Sequence, residues 1–224
     1  MRISPDQTYI AVGHASGNIH LWDLATPTKP ARTTLALSPE QLKTGRKDGH
    51  SRGDAILHIG FVAARHTAII SGDSAGKVFW WSLGRVMGIE SNDTIRILGG
   101  PKRSKLFAAL PLPLGEASHS TDEAQISALL TPRKLVIVCM KPSPKTLHRR
   151  IGDGGVGCAA WLRPGELSAT SDPVLAYSWD AQLHFLRVPS FVESRSYEAS
   201  SPILALQWFD ANVSCRVQVE KHPS

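Results

Sequence analysis

The sequence predicts an all-β fold assembled from repeated strand units. Three observations carry that prediction. First, the 224-residue chain contains short apolar runs of ordinary strand length, each bounded by Gly, Pro, Asp or Ser. They lie at 9–13, 18–23, 56–61, 67–71, 78–83, 126–130, 135–140, 174–179, 183–188 and 203–209. Second, no helical periodicity separates them, so βαβ units and a parallel sheet are not indicated. The 18 glycines and 15 prolines are spread along the whole length, as many short elements joined by turns require. Third, the sequence is self-similar.

A shift of 59 residues places Thr8, Ile10, Gly13, Gly17, Trp22 and Leu24 on Thr67, Ile69, Gly72, Gly76, Trp81 and Leu83. The first copy reads Ser4-Pro5-Asp6, then a strand ending in Gly13-His14, then Gly17 and a strand closed by Trp22-Asp23. The second opens on Gly49-His50 and closes with Trp80-Trp81-Ser82-Leu83. Gly-His ahead of a first strand and Trp-Asp closing a third is the WD-repeat pattern, whose unit is a four-stranded propeller blade. The structural positions of the repeat are therefore Gly13, Gly17, Trp22, Asp23, His50, Gly72, Gly76 and Trp81. The glycines are expected to allow tight turns with positive φ, and the tryptophan to fill space between blades. The histidine and its polar partners are expected to satisfy one another inside a blade. Two weaker copies follow, over 125–150 and 158–188, and a further first strand opens at 203. Trp179-Asp180 precedes a turn rather than closing a strand, so it is not counted as the motif. The expectation is a partial WD-repeat β-propeller over 1–212, of about four blades with the ring not closed. Residues 25–53 are read as a polar insertion loop and 213–224 as an unpatterned tail. Too few blades for a ring make the chain read as a fragment of a longer protein.

Composition narrows the function. Hydrophobic residues make up 42%, enough for a core. No apolar run approaches the ~20 residues that span a bilayer, and the N-terminus shows no secretory h-region. A cytosolic or membrane-peripheral protein is expected. Cys139, Cys158 and Cys215 are far apart and odd in number, which is neither a disulfide framework nor a zinc knuckle. The net charge of +6 permits anionic partners but selects none, and the basic clusters at 46–47, 102–105 and 148–150 read as solvated turns. The nine histidines show no ligand spacing; His58 and His184, on strands, should face solvent or a neighbouring blade. The glycine-rich run 152–157 lacks the phosphate-loop order and reads as a blade connection. No serine sits in a nucleophile elbow, and Asp122-Glu123 has nothing to make it an acid–base couple. No basic stretch is interleaved with stacking aromatics, so nucleic acid is not an expected partner. No catalytic, metal-ligating or cofactor-binding residue is predicted.

One stretch is specific beyond the generic repeat. Gly45-Arg46-Lys47-Asp48-Gly49-His50, Gly60-Phe61-Val62-Ala63-Ala64-Arg65-His66-Thr67-Ala68-Ile69 and Ser82-Leu83-Gly84-Arg85-Val86 resemble the N-terminal propeller of the fungal vacuolar protein sorting-associated protein 8 family. The likeness runs from residue 1 to about 210, strongest in the first hundred. It implies a non-catalytic scaffold of CORVET, the tether that captures early endosomal membranes, in vesicle-mediated transport toward the vacuole. It further implies recognition of the GTP-bound early-endosomal Rab GTPase, assembly with the class C vacuolar sorting subunits, and a cytoplasmic protein peripheral on the endosomal membrane. Family members also carry an α-solenoid and a C-terminal RING-type zinc domain, which these 224 residues do not include. No short motif marks the residues that would contact the GTPase. The repeat pattern alone fits equally a generic WD-repeat interaction adaptor.

Overall fold

In a computed structural model the described residues are 1–62, 68–86, 89–90, 93–100, 102–112, 125–141, 143–152, 154–162, 172–210 and 213–219. They form four four-stranded antiparallel sheets and a following two-stranded one, in chain order. The first sheet is β1 (Arg2–Ile3), β2 (Tyr9–Gly13), β3 (Ile19–Asp23) and β4 (Arg32–Thr34). A short helix, α1 (Pro39–Lys43), leads to the second, made of β5 (Ile56–Phe61), β6 (Ala68–Asp73), β7 (Val78–Ser82) and β10 (Thr94–Leu98). A small hairpin, β8 (Arg85–Val86) with β9 (Ile89–Glu90), interrupts its last connection. The third sheet is β11 (Ala108–Pro111), β12 (Ile126–Thr131), β13 (Lys134–Cys139) and β14 (Lys145–Ile151). The fourth is β15 (Ala159–Leu162), β16 (Val174–Trp179), β17 (Gln182–Arg187) and β18 (Val192–Glu198). β19 (Ile203–Asp210) and β20 (Val213–Val219) form the last pair.

Each sheet is a meander paired in sequence order, the arrangement of a propeller blade. The first strand of each sheet touches the first strand of the next, from β1 to β5, β11, β15 and β19. These inner strands line one axis, and the ring is not closed.

The middle strands are apolar on both faces because each blade is packed on both sides. Ala11, Ile19 and Leu21 of blade 1 meet Phe61, Ile69, Phe79 and Trp81 of blade 2. The other face of blade 2 gives Ala68, Ile70, Val78 and Trp80 to Leu129, Val136 and Val138 of blade 3. Leu130, Leu135 and Ile137 then meet Leu175, Tyr177, Trp179 and Leu186 of blade 4. Tryptophan N–H groups tie these junctions together. Trp80 donates to Gln125 Oε1 (2.8 Å), Trp161 to the Leu110 carbonyl (3.2 Å), Trp179 to the Thr131 carbonyl (2.8 Å) and Trp208 to the Ala160 carbonyl (3.2 Å). A buried indole N–H left unpaired would cost about 1–3 kcal/mol, so these bonds fix how the blades seat.

The structure departs from the sequence expectation in several places. Residues 25–53 are not a plain loop: they supply β4, the outer strand of blade 1, and then α1. That helix starts from a capping box in which Ser38 Oγ accepts from the Gln41 N–H and Gln41 Oε1 accepts from the Ser38 N–H, with Pro39 at the first position. The segment after Asn212, read as unpatterned, includes β20. The strands β1, β4, β11 and β18 carry too few apolar residues, or are too short, to show a period, and β10 was missed although Ile95-Arg96-Ile97 alternates. β18 is exposed along its whole length, as suits an outer edge.

Candidate functional site

Four of the repeat residues, His50, Gly72, Gly76 and Trp81, belong to blade 2. His50 lies just before β5 and is 1% exposed. Its position is set by the returning leg of the 25–53 segment. There Leu37 N–H donates to the His50 carbonyl (2.7 Å) and Arg52 N–H to the Leu37 carbonyl (2.9 Å). Ser71 and Asp73 stand two apart on β6, hence on one face, and both are fully buried. His50 Nδ1 is 2.7 Å from Asp73 Oδ2, and His50 Nε2 is 2.7 Å from Ser71 Oγ. Trp81 on β7 donates its indole N–H to the same Ser71 oxygen at 2.7 Å. A ring carrying its hydrogen on Nδ1 lets every group act once in its proper sense. Trp81 donates to Ser71, Ser71 to His50, and His50 to Asp73. The other carboxylate oxygen accepts from Ala75 N–H (3.0 Å) and Lys77 N–H (2.9 Å), closing the β6–β7 turn.

Burial works to raise the Asp73 pKa. The His50 hydrogen bond, the Lys77 N–H and the Lys77 charge outweigh it and hold the carboxyl below the ordinary aspartate value. Phe79 and Trp81 pack on the His50 ring, with centroids at 4.7 and 5.9 Å. This chain of bonds links a blade entry, two strands and a turn. It is sealed from solvent, so the chemistry it performs is structural.

The glycines divide into two kinds. Gly17 (φ +90°) and Gly76 (φ +81°) occupy turns in the left-handed region, as the repeat requires. Gly13 and Gly72 do not have positive φ; they answer close approach instead. A Cβ on Gly72 would lie 2.3 Å from Leu106 Cδ2, and one on Gly13 2.3 Å from Ile56 Cγ2. The expectation of positive φ is corrected for these two.

Blade 1 lacks the network. Cross-strand register puts Val12 opposite His20 and Ile10 opposite Trp22, where blade 2 has Ser71 opposite Phe79 and Ile69 opposite Trp81. The hydroxyl position is thus a valine. Trp22 is half-buried on the face turned away from blade 2 and has no hydrogen-bond partner among the described residues. Among the described residues no blade stands against that face. Asp23 accepts from Ala25 N–H (2.8 Å) and so closes β3. On the same face the His14 and His20 rings lie 4.4 Å apart, and burial, with His14 second, lowers the His20 pKa.

In blade 4 the equivalent face is aromatic. Tyr177, opposite His184, is buried against Trp179 and stacks on His184 at 5.1 Å. Its hydroxyl is 2.8 Å from Arg150 of blade 3 and 2.5 Å from Glu193 Oε1 of β18, and Arg150 pairs with Glu193. Burial pushes the Tyr177 pKa up to about 12, Arg150 offsetting it in part. His58 meets the Leu106 carbonyl at 3.2 Å across the blade 2–3 junction. Trp179 ends β16 and Asp180 turns the chain at φ +47°, as its placement before a turn predicted. The glycine-rich run joins β14 to β15, with Val156 N–H donating to Asp180 Oδ1 (3.0 Å). Residue 153 and the acidic pair 122–123 lie outside the described residues. So do His66, Thr67, His119 and His222.

Ser71, Asp73 and the Tyr177–Arg150–Glu193 cluster were missed from sequence. A signal existed for the first two: polar residues at 71 and 73 on one face of an otherwise apolar strand demand buried partners. Arg150 and Glu193 are distant in sequence, and nothing local pairs them. Among the described residues, no group of three or more His, Cys, Asp or Glu is placed to hold a metal, and no helix is long and apolar enough to cross a membrane.

Comparison with known proteins agrees with the fold. Solved propellers match over most of the chain: the Myceliophteria thermophila Cps50 (Swd1) β-propeller domain with TM-score 0.59 and 16% identity, covering 97% of this chain and 61% of that one. A chain of the mitotic checkpoint complex matches with TM-score 0.59 and 16% identity, covering 92% and 52%. At such identity the likeness shows the fold alone. Curated relatives include the mouse vacuolar protein sorting-associated protein 8 homolog, 27% identical over 84% of this chain and 12% of its own length. The Saccharomyces cerevisiae vacuolar protein sorting-associated protein 8 is 22% identical over 93% of this chain and 17% of its own length. The chain therefore spans under a fifth of the relatives it matches. The family profile described as Vps8 beta-propeller matches residues 1–218, and the chain belongs to that family.

Proposed function

We propose that the chain is the propeller part of a non-catalytic scaffold in vacuolar protein sorting. In this reading it serves the CORVET tethering complex on early endosomes, where it recognises the GTP-bound early-endosomal Rab GTPase and acts with the class C vacuolar sorting subunits. The protein is then cytoplasmic and peripheral on the endosomal membrane. The observation that carries the reading is the family match over residues 1–218. The geometry supports it: the His50–Ser71–Trp81–Asp73 network is buried and mutually satisfied, as in a rigid support whose exposed loops do the binding. The test is retention of the full-length protein on the immobilised Rab. Preferential retention on the GTP-loaded form is expected. Equal retention on the GTP and GDP forms would refute Rab recognition and leave the generic WD-repeat adaptor.

A further inference from the structure

Blade 1 carries two imidazoles where blade 2 carries a carboxylate and a phenyl ring. By the 59-residue repeat, His14 stands at the position of Asp73 and His20 at that of Phe79. His20 lies on β3 opposite Val12, and His14 lies two residues beyond Val12, so both belong to one face of the β2–β3 hairpin. Ile19 and Leu21 take the other face, in the junction with blade 2. The two rings lie 4.4 Å apart between centroids, tilted by 54°. Both residues are half-buried.

Neither ring has a hydrogen-bond or ion-pair partner among the described residues, and His14 Nε2 is buried without one. Buried polar nitrogens are normally satisfied, so this one calls for a partner that the described residues do not supply. The backbone holds the pair in place. His14 N–H donates to the Asn18 carbonyl (3.0 Å), and the His14 carbonyl accepts from Gly17 N–H (3.1 Å) and Ile56 N–H (3.0 Å). His20 is fixed in the ladder between Val12 and Thr33. Rings carried on such a frame are pre-positioned as ligands.

Paired imidazoles suit Zn²⁺, Cu²⁺ and Ni²⁺, whereas Mg²⁺ and Ca²⁺ take oxygen ligands. A metal about 2.0–2.1 Å from one nitrogen of each ring sits about 3.2 Å from each ring centre, which puts the centres about 4.5 Å apart at a right ligand angle and about 5.2 Å at a tetrahedral one. The 4.4 Å between His14 and His20 is close to the first of these spacings. Among the described residues no third His, Cys, Asp or Glu joins the pair, so water fills the remaining positions.

We propose that His14 and His20 together bind a Zn²⁺-class dication that clips β2 to β3. In blade 2 the equivalent strands, β6 and β7, are joined by the Trp81–Ser71 hydrogen bond within the buried network. Val12 replaces that hydroxyl in blade 1, and the metal supplies the missing cross-strand link. The site does not depend on the vacuolar sorting reading.

The test titrates Zn²⁺ into the metal-free full chain and follows binding by calorimetry. A saturable site at one ion per chain is expected, tighter for Cu²⁺ than for Zn²⁺ and absent for Mg²⁺. His14→Gln and His20→Gln should each weaken Zn²⁺ binding about tenfold or more, the scale on which even the supporting partners of a ligand act. Zn²⁺ should raise the melting temperature of the wild type by mass action and leave that of both variants unchanged. The electron paramagnetic resonance of the 1:1 Cu²⁺ complex needs no variant, and should show hyperfine coupling to two imidazole nitrogens. No saturable binding, Zn²⁺ affinity undiminished in either variant, or coupling to a single nitrogen would overturn the proposal.

Discussion

Replacing His50 by alanine should be among the most damaging single changes in blade 2. The ring is 1% exposed and bridges two groups that are fully buried. Its loss strips Asp73 Oδ2 of its 2.7 Å partner, leaving that carboxylate only the two amides on its other oxygen. Ser71 keeps the Trp81 N–H but loses the acceptor for its own hydrogen. Breaking a buried polar pair by removing one side costs about 3–5 kcal/mol, and the vacated ring beneath Phe79 and Trp81 falls on the same scale as other large-to-small core changes. The expected destabilisation is therefore about 3–5 kcal/mol, read as a shift in the urea midpoint at unchanged slope. Trp81→Phe keeps an aromatic ring but removes the N–H and part of the indole volume at a buried site, and should cost about 2–4 kcal/mol. In the double variant the two effects should fall short of additive, since both act on Ser71. A His50→Ala cost below about 1 kcal/mol, or simple additivity with Trp81→Phe, would refute the reasoning.

Three further outcomes follow from the same geometry. Because the folded Asp73 pKa lies below its ordinary value of 3.8, its contribution is fully present above that pH and is lost as pH falls through the lower folded value. Stability measured from pH 6 down to pH 2 should drop, and Asp73→Asn should flatten that acid limb. Tyr177, one of three tyrosines, should ionise only near pH 12, while an ordinary tyrosine titrates near 10. Its neutral form stabilises the fold below about pH 10, and that contribution fades as pH rises through about 12; ultraviolet titration of wild type against Tyr177→Phe checks this. Gly72→Ala should cost about 1–3 kcal/mol in thermal unfolding, since its Cβ would stand 2.3 Å from Leu106 Cδ2 in a packed junction.

The repeat was legible because its strongest signals are local. Gly17, Gly76 and the closing Trp81 recur at one spacing, and His50 precedes a strand as the pattern demands. Strands with both faces buried, such as β6, β13 and β16, announce themselves by continuous apolar runs. The outer strands do not, because one edge meets water and their sequences carry charge, as in Val192–Glu198. The 25–53 segment was misread for a related reason. Its ordering comes from a capping box and from the pairing of Leu37 with Ser51 across the segment, neither of which yields hydrophobic period. Trp22 differs from Trp81 in its surroundings. The local motif is intact, but the hydroxyl that would receive its N–H is Val12, and the burial of a side chain depends on what stands beside the blade. The Arg150–Tyr177–Glu193 cluster joins three strands of two blades, so only the assembled fold brings it together.

The chain is a partial WD-repeat propeller in which, among the described residues, blade 2 alone carries the closed His–Ser–Trp–Asp network. Hydrogen exchange of the six tryptophan indole N–H groups tests it most directly. The Trp81 indole, buried and bonded to Ser71 at 2.7 Å, should exchange at the slow rate of global unfolding. The Trp22 indole, half-buried and unbonded among the described residues, should exchange faster by orders of magnitude. Equal rates for the two, or a faster Trp81, would contradict the account.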